Sequence, residues 1–365
     1  MSARVIPPLA AISPGITTDD ALFAITAAQL TSTTLPEIAP AAYNGATTYA
    51  LAATVSVAAA GNAFDVYESL QASNTGHAPA SSPAWWKLLG RTYGVYSGAT
   101  AYVAGDRVIN AASHLQYRAL VNSTGAALSD DTKWELDGAT NRWRAFDILR
   151  NTKAIGPSGT SFTITPGKRV DAVGLAGLVA DSVTVTVKVE GLVKWAHAEP
   201  LTTRNTLTWS DYFFGAFERR SVTALFDIPK YSGAEITITF TRVGGDVEIG
   251  GIWVNEAVYL GELETEPGVD RRNFSTIDRS STGEIVLIRR QTKPQNRWVV
   301  FCPKPRLAKV KALPDDLNAV PAMWVGLEES TDAYFDLVTL VAVYTRFTIT
   351  PGHPDARLDL DLEET

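Results

Sequence analysis

Apolar and polar residues alternate with a period of two through much of this chain. Val183, Val185, Val187 and Val189 alternate with Thr184, Thr186, Lys188 and Glu190. Successive side chains of a strand point to opposite faces, so this spacing predicts a half-buried strand with one apolar face. Ile236, Ile238 and Phe240 repeat the device. Val247 to Val254 follows, and its Gly250-Gly251 pair marks a bulge or a close backbone approach. Strands at this spacing, with no long helical stretch between them, predict a β-sandwich over residues 139–262. Each buried Val or Ile contributes roughly 1.5–3 kcal/mol, which makes this the most secure core in the sequence.

The pattern changes after residue 262. Glu284 to Arg290 and Trp298 to Cys302 read as paired strands. Pro305 to Val320 reads as a helical stretch with Leu307, Val310 and Leu317 inward, interrupted at Pro314. Ala322 to Val325 and Phe335 to Ile349 return to strand, and Arg357 to Glu363 alternates strictly as a final strand. Residues 263–365 therefore read as an α+β unit with one helical layer.

The chain also repeats itself. Tyr43-Asn-Gly-Ala-Thr-Thr-Tyr49 returns as Tyr96-Ser-Gly-Ala-Thr-Ala-Tyr102. Asp65-Val-Tyr67-Glu-Ser-Leu70 answers Leu115-Gln-Tyr117-Arg-Ala-Leu120, Asn74-Thr-Gly76 answers Ser123-Thr-Gly125, and Trp86-Lys-Leu-Leu-Gly90 answers Trp134-Glu-Leu-Asp-Gly138. Two tandem units result, 41–90 and 91–138, each of short strands punctuated by Gly, Asn and Ser. Modules this small bury little apolar surface and need a staple, or a larger body to pack on. The single cysteine, Cys302, rules out an internal disulfide. Residues 1–40 read as an extended arm, along a partner or disordered, in which Thr18-Asp19-Asp20 could cap a short helix from Ala21 to Leu30.

Charge narrows the field further. The 365 residues carry a formal net charge of −7, which argues against a nucleic-acid or anionic-membrane partner. No apolar run is long enough for a membrane helix, so no membrane insertion is expected. Met1 to Pro8 has no signal-peptide character, so folding in the cytosol is expected. Neither a metal nor another cofactor is expected, since the four histidines, His77, His114, His197 and His353, are scattered. Motifs for a serine nucleophile, a zinc protease and a phosphate loop are missing, so no catalytic residues are assigned. Asp130-Asp131 and Glu262, Glu264 and Glu266 read as solvated acidic segments, and Asp359, Asp361 and Glu363 as one face of a solvent-facing strand edge.

The aromatic residues of the repeats are the distinctive feature. Tyr43, Tyr49, Tyr67, Trp85 and Trp86 in the first unit answer Tyr96, Tyr102, Tyr117 and Trp134 in the second. Exposed Tyr and Trp planes stack on the flat faces of sugar rings, which makes these nine the candidate carbohydrate-binding residues. The competing reading is that the rings form the modules' own cores. Trp86 and Trp134, each followed by a leucine two residues on, favour core. Trp85 has no aromatic counterpart and is the better surface candidate.

These motifs resemble the small chitin-binding-type carbohydrate modules appended to bacterial chitinases and cellulases and found also in bacteriophage tail proteins. Unit one departs from that pattern at the Gly-Asp-x-Val turn, where it has Ala53-Thr-Val-Ser56, and unit two lacks the proline after Asn-Thr-Gly. Asn141-Arg-Trp-Arg-Ala-Phe-Asp147, Gly250-Gly-Ile-Trp-Val254 with Tyr259-Leu-Gly-Glu262, and Val320-Pro-Ala-Met-Trp-Val325 resemble siphophage tail and baseplate proteins. The resemblance implies a mainly β chain of two small tandem β-modules, a jelly-roll-like sandwich and the C-terminal α+β unit. It implies a virion structural subunit near the tail tip or baseplate, made in the host cytoplasm. Its partners would be other tail proteins and further copies of itself, as a trimer or hexamer about the tail axis, with host surface polysaccharide as a possible ligand. A free-standing carbohydrate-binding adhesin, or an accessory to glycan hydrolysis, is the alternative.

Overall fold

A computed structural model describes residues 1–10, 23–148, 152–204, 208–264, 266–279, 285–290 and 292–365. The protein is mainly β, with antiparallel pairing nearly throughout and one short helix in its C-terminal region.

The two repeats share a single sheet. Its six strands run Trp134–Ala139, Leu115–Ala119, Arg107–Asn110, Trp86–Val95, Ala63–Ser69 and Thr54–Ala59. Strand Trp86–Val95 belongs to both modules. Trp86 to Tyr93 pair with Ala63–Ser69, and its end, Gly94 and Val95, pairs in parallel with Val108 and Ile109. The division expected at 90/91 thus falls inside one continuous strand. Side chains reinforce this joint: Asn62 Nδ2 donates to the Arg107 carbonyl at 2.8 Å, and Arg107 Nη1 donates to Tyr93 Oη at 3.3 Å. The duplication extends to irregularities. Ala52 (φ 64°) and Gly105 (φ 95°) turn the chain at matching places, and each is followed three residues later by a fully buried valine, Val55 or Val108. The turn of unit one therefore begins at Ala52, one residue earlier than the motif placed it.

The sandwich forms as its alternation predicts. A five-stranded sheet runs Leu192–Pro200, Ser182–Val189, Glu235–Thr241, Thr160–Ile164, Leu30–Thr33. Facing it are Thr223–Leu225, Ala172–Ala176 and Gly251–Asn255, together with the pair Ala154–Gly156 and Val247–Ile249. Val183, Val185, Val187, Ile236, Ile238 and Phe240 point inward onto Val173, Leu175, Ile252 and Val254. At Gly250 the chain passes from one short sheet to the other, with its backbone against Gly177, which realises the expected close approach.

The C-terminal strands close on themselves. Val258–Leu263, Ser2–Ile6, Ala322–Val325, Thr339–Thr350, Asp355–Glu364 and Thr292–Pro303 are neighbours in that order, and the last pairs back onto the first through Glu262–Phe301 and Leu263–Val300. The result is a six-stranded barrel with Gly268–Asn273 added along the far part of Thr292–Pro303. Trp298, Trp324, Cys302, Leu358, Leu360 and Leu362 fill it, and helix Leu307–Asp316 packs Val310 and Leu313 against the same core despite Pro314 within it.

Several expectations are corrected here. Residues 2–6 are no free arm but a barrel strand between two others, with Ala3, Val5 and Ile6 fully buried. Residues 30–33 form the sandwich edge, and residues 23–29 are a bridge, bends and a turn rather than a helix; the Thr18–Asp20 cap lies outside the described residues. Strand Val258–Leu263 belongs to the barrel, so the sandwich ends before it. Strand Ile285–Ile288 pairs with Thr276–Arg279 and not with Trp298–Cys302, which lies inside the barrel wall. Asp355–Glu364 is a central strand instead of an edge, and its outward carboxylates Asp359, Asp361 and Glu363 meet Arg357, Arg297 and Arg272. For Ser2–Ile6, Val258–Leu263 and Asp355–Glu364 the strand's neighbours depended on barrel closure, which local alternation does not carry.

Candidate functional site

The nine aromatic candidates divide by depth. Tyr43, Tyr49 and Trp86 form one ring cluster: the tyrosines stack at 5.8 Å between centroids, and Trp86 meets them edge-on at 5.9 and 5.2 Å. Tyr96, Tyr102 and Trp134 reproduce it at 6.0, 5.8 and 5.2 Å. Edge-to-face rings satisfy the ring quadrupole and pack densely, so each cluster is a miniature core that substitutes for the missing disulfide. The polar tips are used as well. Tyr49 Oη accepts from Asn44 N–H at 2.8 Å and Tyr102 Oη from Ser97 N–H at 2.9 Å. Trp86 Nε1 donates to the His77 carbonyl at 2.7 Å, and Trp134 Nε1 to the Ala126 carbonyl at 3.2 Å. Trp86, Tyr102 and Trp134 are buried, and their planes are closed to a ligand.

Tyr67 and Tyr117 stand half-exposed on the shared sheet. Tyr67 lies between Val55 and Leu88, and Tyr117 between Val108 and Leu136. Burial raises both phenol pKa values, helped at Tyr67 by the charge of Asp65, so both rings are neutral at ordinary pH.

Trp85 is set apart. Its ring stacks on His77 at 3.9 Å with 11° between planes, and both residues are half-buried. Asn74, wholly buried, builds this pair. It exchanges backbone hydrogen bonds with Tyr49, its Nδ2 donates to Ser69 Oγ at 2.9 Å and to the Trp85 carbonyl at 3.4 Å, and its Oδ1 lies 3.2 Å from His77 Nδ1. One amide thus holds the two rings parallel. The second repeat has Ser123, Ala126 and Lys133 at the corresponding positions, so the ring pair exists in unit one alone. Sequence reasoning singled out Trp85 but missed Asn74 and His77. The signal was available, since both precede the Trp85-Trp86 pair and neither has a like residue in unit two.

The repeats are rigidly mounted. Glu37, buried where the chain enters the first module, accepts from His114 Nδ1 at 2.8 Å, Thr140 Oγ1 at 3.1 Å and Trp143 Nε1 at 3.3 Å, while its carbonyl accepts from Thr92 Oγ1. The His114 ring also stacks on Trp143 at 4.2 Å. One carboxylate therefore ties the linker, the second module and the start of the sandwich together.

A cleft of about 570 Å³ opens between the sandwich and the barrel, lined in part by Asp147, Trp253, Arg271, Asp336, Thr339 and Glu364. Burial pushes the Glu364 carboxyl upward against the pull of Lys293 and Arg271. Among the described residues, no group of three or more His, Cys, Asp or Glu side chains could hold one metal ion. Also among them, no helix is long and apolar enough to cross a membrane. Comparison with protein-family models, curated proteins and solved structures found no match to this chain.

Proposed function

We propose that this chain is a structural subunit of a bacteriophage tail tip or baseplate. In this reading it assembles with copies of itself and with other tail proteins, and holds its first repeat toward host surface carbohydrate. The supporting observation is the mounting: two repeats fused through one strand and clamped to the sandwich by buried Glu37, with the Trp85–His77 ring pair held by Asn74. A rigidly displayed aromatic plane suits a sugar ring, because the stacking energy is not spent on ordering the protein. The tail assignment itself comes from the sequence resemblance.

Two experiments test this. Electron microscopy of assembled particles carrying a tagged copy should place the label in a ring near the tail tip; particles without label would end the tail reading. Calorimetric titration with chito-oligosaccharides should show binding that Trp85→Ala abolishes, and absence of binding by the wild type ends the sugar reading. Clearing of purified cell wall by the protein alone would instead indicate hydrolysis, with the carboxylate-lined cleft as its place.

A further inference from the structure

We propose that residues 209–217 form an aromatic finger that seats on a second copy of this chain and makes the contact between neighbouring copies. The finger rises from the sandwich on a two-stranded base, Thr202–Thr203 with Glu218–Arg219. Its helix, Trp209–Phe214, is organised from within: Asp211 N–H donates to Thr208 Oγ1 at 3.1 Å, Thr208 N–H donates to Asp211 Oδ2 at 2.8 Å, and Gly215 N–H closes the end on the Asp211 carbonyl at 2.8 Å. Arg204 lies 4.2 Å over the Phe217 ring and donates to the Tyr212 carbonyl. The base is anchored by Arg219 on Asp181 at 2.9 Å and by buried Arg220 on Glu199 at 2.9 Å.

The tip, by contrast, touches little but itself. Trp209 stacks on Phe213, and Tyr212 meets Phe213 edge-on, yet no residue of the helix is buried. Trp209, Tyr212, Phe213, Phe214 and Phe217 are between 57% and 87% exposed. At about 200 Å² for each aromatic side chain, the open surface is about 700 Å². One side of a stable protein–protein interface needs about 800 Å², so the finger supplies most of one side. An apolar patch of that size on a soluble chain marks an interaction site.

Two further observations point to another copy rather than a lipid surface. The charged residues of the finger are engaged within it, Asp211 in the cap and Arg204 on Phe217, and leave no basic cluster for phosphate head groups; the chain as a whole carries −7. The strand leading into the finger, Leu192–Pro200, is also a sheet edge. Among the described residues it pairs only with Ser182–Val189, and it exposes Leu192 and Val193 beside its open backbone groups. Leu192 and Val193 stand at the end of this edge remote from the finger, and the open edge and the aromatic patch are each surfaces of the kind that copies of a chain cover for each other.

This inference rests on the proposed ring for its biological setting. Native mass spectrometry and light scattering of the full chain should show an oligomer at micromolar concentration. The triple variant Trp209→Ser/Phe213→Ser/Phe214→Ser should associate at least about tenfold more weakly, as loss of central aromatic anchors does. At concentrations where wild type and variant are both monomeric, its thermal unfolding should match wild type, because none of the three side chains is buried in the chain. Phe213→Leu should assemble like wild type. A monomeric wild type, a triple variant that assembles normally, or a wild-type monomer that floats with phosphatidylcholine vesicles overturns the contact. A finger-dependent oligomer absent from tail particles would sink the tail assignment alone, and a labelled tail with monomeric free chain would sink the finger contact alone.

Discussion

Adjacent tryptophans have opposite duties in this protein. Trp86 fills the core of the first module while Trp85, half-buried, stacks on His77. Trp86→Ala should lower stability by about 3–5 kcal/mol, measured by denaturant unfolding, because it empties a ring cluster with no disulfide behind it. Trp85→Ala should shift the unfolding curve less than Trp86→Ala does and, in the proposed function, act on sugar binding, as calorimetric titration would show. Glu37 is the polar counterpart of these cores. Glu37→Ala removes the acceptor of three donors, His114, Thr140 and Trp143, and should cost about 3 kcal/mol, with loss of the fixed orientation of the repeats visible in small-angle scattering. Glu199 gives a pH dependence. Burial, the largest single influence, raises its pKa, but hydrogen bonds from Ser330, His197 and Arg220 together outweigh it and hold the value below the ordinary 4.5. A carboxyl whose folded value is depressed contributes its stability above the unfolded value and loses it as pH falls through the folded one. Wild type should therefore be more stable than Glu199→Gln at neutral pH, and thermal unfolding should show that gap narrowing as pH falls below 4.5.

At the level of elements, matching turns carry different residues. Ala52 holds the left-handed conformation that Gly105 takes in the second repeat. A Cβ is unfavourable there by roughly 1–2 kcal/mol, offset in part by the greater freedom glycine has when unfolded. Ala52→Gly should therefore raise the midpoint of thermal unfolding slightly, an uncommon direction for a glycine substitution. Gly261 is the reverse case. Its φ of 141° and the closeness of the Phe301 carbonyl leave no room for a Cβ where the barrel closes. Gly261→Ala should destabilise the barrel by about 2 kcal/mol, read by hydrogen exchange in strands Val258–Leu263 and Thr292–Pro303. The elements themselves were largely legible. Val183 to Val189 and Arg357 to Glu363 alternate so strictly that their faces could be assigned from the residues alone, and tandem Tyr and Trp spacing revealed the modules. The finger was not read from the sequence, although five aromatic residues lie between Trp209 and Phe217, because aromatic density alone does not tell a buried stretch from an exposed one.

Across the whole molecule, the first strand ties the N-terminus into the C-terminal barrel. Ser2–Ile6 sits between Val258–Leu263 and Ala322–Val325, so deletion of residues 1–8 should open the barrel and abolish its near-ultraviolet circular dichroism while the repeats stay folded. Nothing local announces this role, because Ala3, Val5 and Ile6 read as well for an extended arm as for a wall strand. What the residues determine by themselves is local: which side chains seek burial, with what period, and that two modules are copies. Those properties follow from side-chain chemistry over a few positions. Partner choice among strands, the closing of the barrel, the clamp at Glu37 and the exposure of the finger were decided only in three dimensions, since each depends on which distant segments share the same space.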